Sequence, residues 1–325
     1  MISRAAEHCF WLHRYVERAE NTARLLQVNL AFVLDARVAE HEQWWPVLRA
    51  LGEERQFSDT GLPSRVTADG VQDFVVWDPE NPGALLNSVH QARVNAHAIR
   101  ETISLEMWEA VNTLWLWLTG DEAHRLYHED RYAFYDAAKH GCQRFQGSLY
   151  TTVSYDQPFD FMRLGALVER ADQTTRMLDT AFLRAETGAA PDTPLWLATL
   201  RSCSAMESYF KRGQVPVSGR RVGEFLLFDL AFPRAVAHCL QRSSHFLRRI
   251  GAGRGSAGRP AGATTEALLA RLRATAPGVV LDGDKHAELE GLLVAIGAVA
   301  DAIVSEYFPA VPAAASAMEA LSVDA

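Results

Sequence analysis

Apolar residues recur at intervals of three and four from position 6 to position 36, where Leu12, Val16, Ala19, Ala23, Leu26, Leu30 and Val33 fall on one stripe. This is the spacing of a helix laid against a core. The same period returns around residues 41–51, 84–119, 131–152, 159–186, 193–212, 233–250, 265–275 and 285–307. Strand-like alternation is nearly absent. One short run, Phe74-Val75-Val76-Trp77, has β-like composition and stands before Asp78-Pro79-Glu80-Asn81-Pro82, whose Asp, Asn and Pro chemistry ends an extended piece and opens a helix. The pattern therefore predicts an all-α chain. Residues 53–73, residues 251–263 and the Ala/Pro-rich tail 309–325 offer little apolar surface and are expected to be mobile.

Sliding the sequence against itself gives a match at an offset of 152. Leu12/Leu164, Val16/Val168, Glu17/Glu169, Arg18/Arg170, Ala19/Ala171, Thr22/Thr174, Arg24/Arg176 and Leu26/Leu178 are identical pairs, as are Trp44/Trp196, Leu48/Leu200 and Arg49/Arg201. After one residue of slip, Phe74-Val75-Val76-Trp77-Asp78 meets Phe225-Leu226-Leu227-Phe228-Asp229, and Pro82 meets Pro233. Self-similarity of this kind marks a tandem repeat. The chain is expected to be a helical bundle of two pseudo-symmetric repeats, residues 1–155 and 156–308, packed as one body because a helical layer with one apolar face must cover it. Under such symmetry the two Glu-Arg-Ala helices are expected to face one another.

At 100° per residue Glu17, Glu20, Asn21 and Arg24 share one side of their helix, and Glu169, Asp172, Gln173 and Arg176 form the twin set. A solvated face with an i,i+4 ion pair would be worth only about 0.3–0.5 kcal/mol. Yet these polar positions match between copies as well as the core stripe does, whereas exposed positions tolerate change best. A shared polar cavity or a buried salt-bridged seam is the expectation, with Arg18 and Arg170 beside it. A di-metal helical site needs carboxylates with Glu-x-x-His pairs. His13 lies one turn before Glu17, but its twin position is Gly165, so neither a metal nor another cofactor is expected.

A second polar group comprises Arg93, Asn95, His97, Arg100, Ser104 and Glu106 near Trp108, Trp115 and Trp117. The tryptophans read as core, and Arg93 and Arg100 as either solvated or a carboxylate clamp. No phosphate-binding glycine loop and no hydrolase or metalloprotease motif is found; the tract Gly251-Ala252-Gly253-Arg254-Gly255-Ser256 lacks the preceding strand and the Lys-Ser/Thr ending a nucleotide loop needs.

Composition narrows the classes. With 48% apolar residues the 325-residue chain can bury a large core. A net charge of -8 argues against nucleic-acid and anionic-membrane partners. Lys139, Lys211 and Lys285 are the lysines, so arginine, suited to bidentate pairing with carboxylates, carries the positive charge. Cys9, Cys142, Cys203 and Cys239 have no metal-ligand spacing. The N-terminus has no apolar signal core, and the longest apolar stretch, residues 292–304, is broken by Asp301, short of the roughly 18 residues of a membrane span. A cytoplasmic protein is expected.

The segments Ile2-Ser3-Arg4-Ala5-Ala6-Glu7, Phe10-Trp11-Leu12, Arg14-Tyr15-Val16-Glu17-Arg18-Ala19-Glu20-Asn21-Thr22-Ala23-Arg24, Arg93-Val94-Asn95-Ala96, Glu106-Met107-Trp108, Ser208-Tyr209-Phe210-Lys211-Arg212 and Glu224-Phe225-Leu226-Leu227-Phe228-Asp229 together resemble the alpha-E domain family of bacterial all-helical domains. The resemblance implies association with a circularly permuted ATP-grasp amide-forming ligase, often with a transglutaminase-like peptidase, in peptide synthesis or modification. ATP chemistry would then belong to the partner. The candidate substrate-binding residues are Glu17, Arg18, Glu20, Asn21, Arg24, Arg93, Asn95, Arg100, Glu106, Glu169, Arg170, Asp172 and Arg176; catalytic residues are not assigned. Two readings follow: a catalytic or accessory ligase partner whose arginines hold carboxylates and whose acids hold an amine, or a helical interaction scaffold without chemistry. Glu17, Arg24, Glu169 and Arg176 in one solvent-connected cavity would favour the first, and a dry seam the second.

Overall fold

The longest apolar stripe becomes helix α1, Ser3–Asp35, followed by α2 Glu40–Leu51, α3 Glu54–Asp59, α4 Ala68–Val76, α5 Leu85–Ala98, α6 Leu105–Leu118, α7 Asp121–Glu129 and α8 Arg131–Thr152. Then come α9 Gln157–Glu186, α10 Asp192–Ser202, α11 Met206–Lys211, α12 Gly219–Phe228, α13 Val236–Gly251, α14 Pro260–Ala274, α15 Pro277–Asp282 and α16 Lys285–Tyr307. The structure is a computed structural model that describes residues 3–35, 39–61, 66–188, 192–213, 216–252, 260–275 and 277–308, and no strand occurs among them. The protein is all-helical.

Several local expectations are corrected. Residues 74–77 are not extended: Thr67 caps α4 by accepting the Gly70 N–H at 3.1 Å, and Phe74, Val75 and Val76 are buried on it, so cap and burial override the β-like composition. The single helix expected over 84–119 breaks after Ala98. A turn closed by the Thr102 N–H on the Ile99 carbonyl at 2.8 Å leads to Ser104, which caps α6 through the Met107 N–H at 3.2 Å. Residues 53–73 hold α3 and most of α4, with 62–65 outside the described residues. Of the other stretches expected to be mobile, 253–259 and 309–325 lie outside the described residues as well.

The core is organised on α1 and α9, which pack along one another; α5 and α8 flank α1, and α13 and α16 flank α9. Leu12, Leu26, Leu164 and Leu178 are fully buried in this layer, each worth about 2 kcal/mol relative to an exposed side chain. The two long helices touch backbone to backbone. A Cβ on Gly165 would stand 2.0 Å from the Phe10 carbonyl oxygen, so only glycine permits the approach. Because neighbouring helices wrap most of both long helices, much of their polar faces is buried along with their apolar ones.

Candidate functional site

At the α1–α9 crossing the two Glu-Arg pairs exchange partners. Glu17 accepts from Arg170 at 2.8 Å, and Glu169 accepts from Arg18 at 2.7 Å. The other oxygen of Glu17 receives Arg234 at 2.7 Å, from the turn leading into α13, and the second oxygen of Glu169 receives Arg14 at 2.8 Å. Both carboxylates are essentially inaccessible to water. Burial alone would raise their pKa values, but the guanidiniums outweigh it: Arg170 and Arg234 hold Glu17 far below the carboxylate range, and Arg18 and Arg14 hold Glu169 at about 2.

Around Glu17 the charged groups are paired with one another, while Asn21 Nδ2 and Arg170 Nε are buried without a hydrogen-bond partner. Glu20 binds Arg24, one turn on, and Arg234 at 3.4 Å. Asn21 Oδ1 accepts from Arg24 at 2.9 Å and Arg234 at 2.8 Å. Gln146, from α8, donates to Glu17 at 3.2 Å and Glu20 at 2.5 Å and accepts from Arg170 at 3.3 Å. Burial, with Arg234 close by, pulls Arg24 down to about 9. Glu17, Glu20, Asn21, Arg24 and Arg170 thus form a dry seam.

The Glu169 side is open. Arg14, Arg18, Asp172, Gln173 and Arg176 line a cavity of about 250 Å³ together with Glu53 and the backbone of Gly52 and Gly83. The two sides differ in sequence. Pro82-Gly83-Ala84 and Pro233-Arg234-Ala235 stand in register, so where one segment sends the Arg234 side chain into the seam, the other sends none. Asn21 Oδ1 has Arg234 as a partner, whereas its counterpart Gln173 Oε1 is buried without one. Asp172 pairs with Arg176 at 2.8 Å. Glu53 follows the left-handed Gly52, φ 74°, that ends α2. It accepts the Asn81 amide at 2.9 Å on one oxygen, and a Cβ on Gly83 would stand 2.2 Å from the other. Burial raises its pKa to about 7, against the lowering effect of Asn81 and Arg18.

The remaining candidates lie apart from this centre. Arg93 donates to Asn112 at 2.8 Å, and Arg93 and Arg100 both lie over the ring of Trp108. Asn95 meets His8 at 2.8 Å, and Glu106 is exposed in the first turn of α6. His97, Arg100 and Ser104 do not share a helix face, because α5 ends between them. All four cysteines are free, and burial first of all pushes Cys9, Cys142 and Cys239 to about 12 and Cys203 to about 11. Among the described residues no group of three or more His, Cys, Asp or Glu is placed to hold a metal. Arg14, Arg234, Gln146 and Glu53 are not among the candidates that the sequence pattern singles out. In the self-alignment Arg14 stands against Ala166 and Arg234 against Gly83, so matching residues do not mark them.

Comparison with known proteins places this geometry. Residues 1–308 match the Alpha-E family model, described as a predicted alpha-helical domain with a conserved ER motif; this chain has Glu-Arg dipeptides at 17–18, 54–55 and 169–170, and the first and last of these exchange partners. Uncharacterized proteins of Mycobacterium bovis and of two strains of Mycobacterium tuberculosis are 29% identical over 315 residues, covering 91% of this chain. The chain spans about a third, 35%, of the length of these relatives. No solved structure matches. No helix among the described residues is long and apolar enough to cross a membrane. With a family match over residues 1–308, the chain belongs to the Alpha-E family.

Proposed function

We propose that this chain holds an amino-acid or peptide substrate for a circularly permuted ATP-grasp amide-forming ligase in peptide synthesis or modification, and does so in the cavity beside the α1–α9 crossing. One observation carries the reading: Gln173 Oε1 is buried and unpartnered in the wall of a space of about 250 Å³ that three arginines also border. Arg14, Arg18 and Arg176 suit a carboxylate, while Gln173 Oε1, Asp172 and the carboxyl of Glu53 suit an amine. The lining is rich in guanidinium, carboxyl and amide groups rather than nucleophiles, which supports an accessory, substrate-holding role. A transglutaminase-like peptidase is a second proposed partner. The cytoplasm is the proposed compartment, supported by four buried free thiols.

The closed seam around Glu17 favours the alternative, a non-catalytic interaction scaffold in which Glu-Arg pairs only fix the helices. We also read the chain as two tandem pseudo-symmetric repeats. In support, Gly52 and Ser204, 152 positions apart, both have positive φ (74° and 49°) at the end of a helix. Each closes it with the same bonds, Gly52 N to Arg49 O and Glu53 N to Leu48 O, then Ser204 N to Arg201 O and Ala205 N to Leu200 O.

The test uses lining residues that carry little of the fold. With the ligase present, amide formation from ATP is expected to fall at least tenfold in Arg176→Gln and Glu53→Gln, with helical circular dichroism unchanged. Full product formation by both folded variants would sink the substrate-holding role and leave the scaffold.

A further inference from the structure

A second cavity, further along the same α1-facing side of α9 than the seam, has a different chemistry. It measures about 50 Å³ between α1, α2, α9 and α10, with walls that include Leu25, Val47, Met177, Ala181 and Leu195. At roughly 10–15 Å³ for each water-sized volume, it has room for about four waters, the space of a chain of four or five carbons. Arg184 stands in its wall. Its Nε and Nη2 are buried without a hydrogen-bond partner, and its guanidinium lies 4.8 Å from the centre of the Phe32 ring. One turn earlier on the same face of α9, Thr180 is 7% exposed and its hydroxyl is also unpartnered. A cation and a hydroxyl left unpaired at the edge of an apolar space cost free energy unless an acceptor arrives. Glu42 is the acid whose field reaches Arg184, and the two form no ion pair.

We propose that this cavity binds a short, free aliphatic carboxylate, with the carboxylate on Arg184 and Thr180 and the alkyl chain among Leu25, Met177 and Leu195. A plain carboxylate fits better than an α-amino acid, because no Asp or Glu lines the space to receive an ammonium group. This site is separate from the cavity that borders Arg176 and does not depend on the reading given to it.

Calorimetric titration of the full chain with acetate, butyrate, valerate and octanoate, and with pentylamine, tests the assignment. Affinity should rise about fourfold per added methylene from acetate to valerate, stop rising by octanoate, and be absent for pentylamine. Arg184→Gln breaks no ion pair among the described residues and should fold; it should weaken valerate at least tenfold. Ala198→Leu, from the half-buried rim, should block valerate while leaving thermal unfolding within a few degrees. Arg176→Gln should bind valerate as the parent does. Equal affinity for acetate and valerate, an unaffected Arg184→Gln, or no saturable valerate binding by the parent chain would each overturn the proposal.

Discussion

At the scale of single residues, the seam and the open cavity load opposite penalties on ionisation. Glu17 and Glu169 are held charged by paired arginines, whereas Glu53 has one amide partner, a Gly83 neighbour and, among the described residues, no ion pair, and its pKa climbs from the ordinary 4.5 to about 7. Because the folded carboxyl is harder to ionise than the unfolded one, its contribution is whole below about pH 4.5, is lost as the pH rises to about 7, and is flat above that. A shift of this size corresponds to about 3 kcal/mol. Glu53→Gln keeps an oxygen for the Asn81 amide and removes the titration. Denaturant unfolding should therefore show the variant gaining about 2–3 kcal/mol on the parent between pH 5 and pH 8; a difference that stays constant with pH would contradict the burial of an ionisable Glu53. His13 slopes the other way. Burial, with Arg163 nearby, lowers it to about 3, so its share of stability is lost as the pH falls below 6.5.

At the scale of elements, the α1–α9 crossing sets the positions of everything else, and its tightest point has no side chain. Gly165→Ala would drive a methyl group into the Phe10 carbonyl, which is backbone and cannot rotate away, so a cost of about 3 kcal/mol or more is expected. A methyl group added at Gly147 in α8 would meet nothing within 4 Å, and Gly147→Ala should stabilise by about 0.5–1 kcal/mol. Thermal unfolding of the two variants reads both signs, and similar values would contradict the close approach. These helices are legible in the sequence because a long three-and-four stripe has few other solutions, and Glu17 and Glu169 because the same polar face recurs. The Phe74–Trp77 run reads as extended because its composition outweighs a single capping threonine, Thr67. The break at Ile99 is hidden because residues 84–98 and 105–118 carry the same period. Arg234 and Glu53 sit in connecting turns, brought to the centre by tertiary packing, and no local pattern announces that.

At the scale of the whole molecule, the reciprocal Glu-Arg exchange means that neither half of the chain can satisfy its own centre. Glu17 and Asn21 take Arg170 and Arg234 from beyond residue 155, and Glu169 takes Arg14 and Arg18 from before it. Ser3 also donates to the Tyr307 carbonyl at 2.7 Å, and Phe308 packs on Phe10, so α16 closes over α1. Cutting between α8 and α9 would expose the long apolar stripes of both helices and separate Glu17 and Glu169 from their arginines, and breaking a buried pair typically costs about 3–5 kcal/mol. That is a large share of the roughly 5–15 kcal/mol by which domains are stable. Residues 1–155 and 156–308 expressed separately should therefore keep helical far-ultraviolet signal but lose the near-ultraviolet tryptophan signal and cooperative unfolding. Mixed at equal concentration they should regain both, and Glu169→Gln in the second fragment should weaken that recovery by at least tenfold. A half that unfolds cooperatively by itself would show that the crossing joins two finished domains rather than completing one.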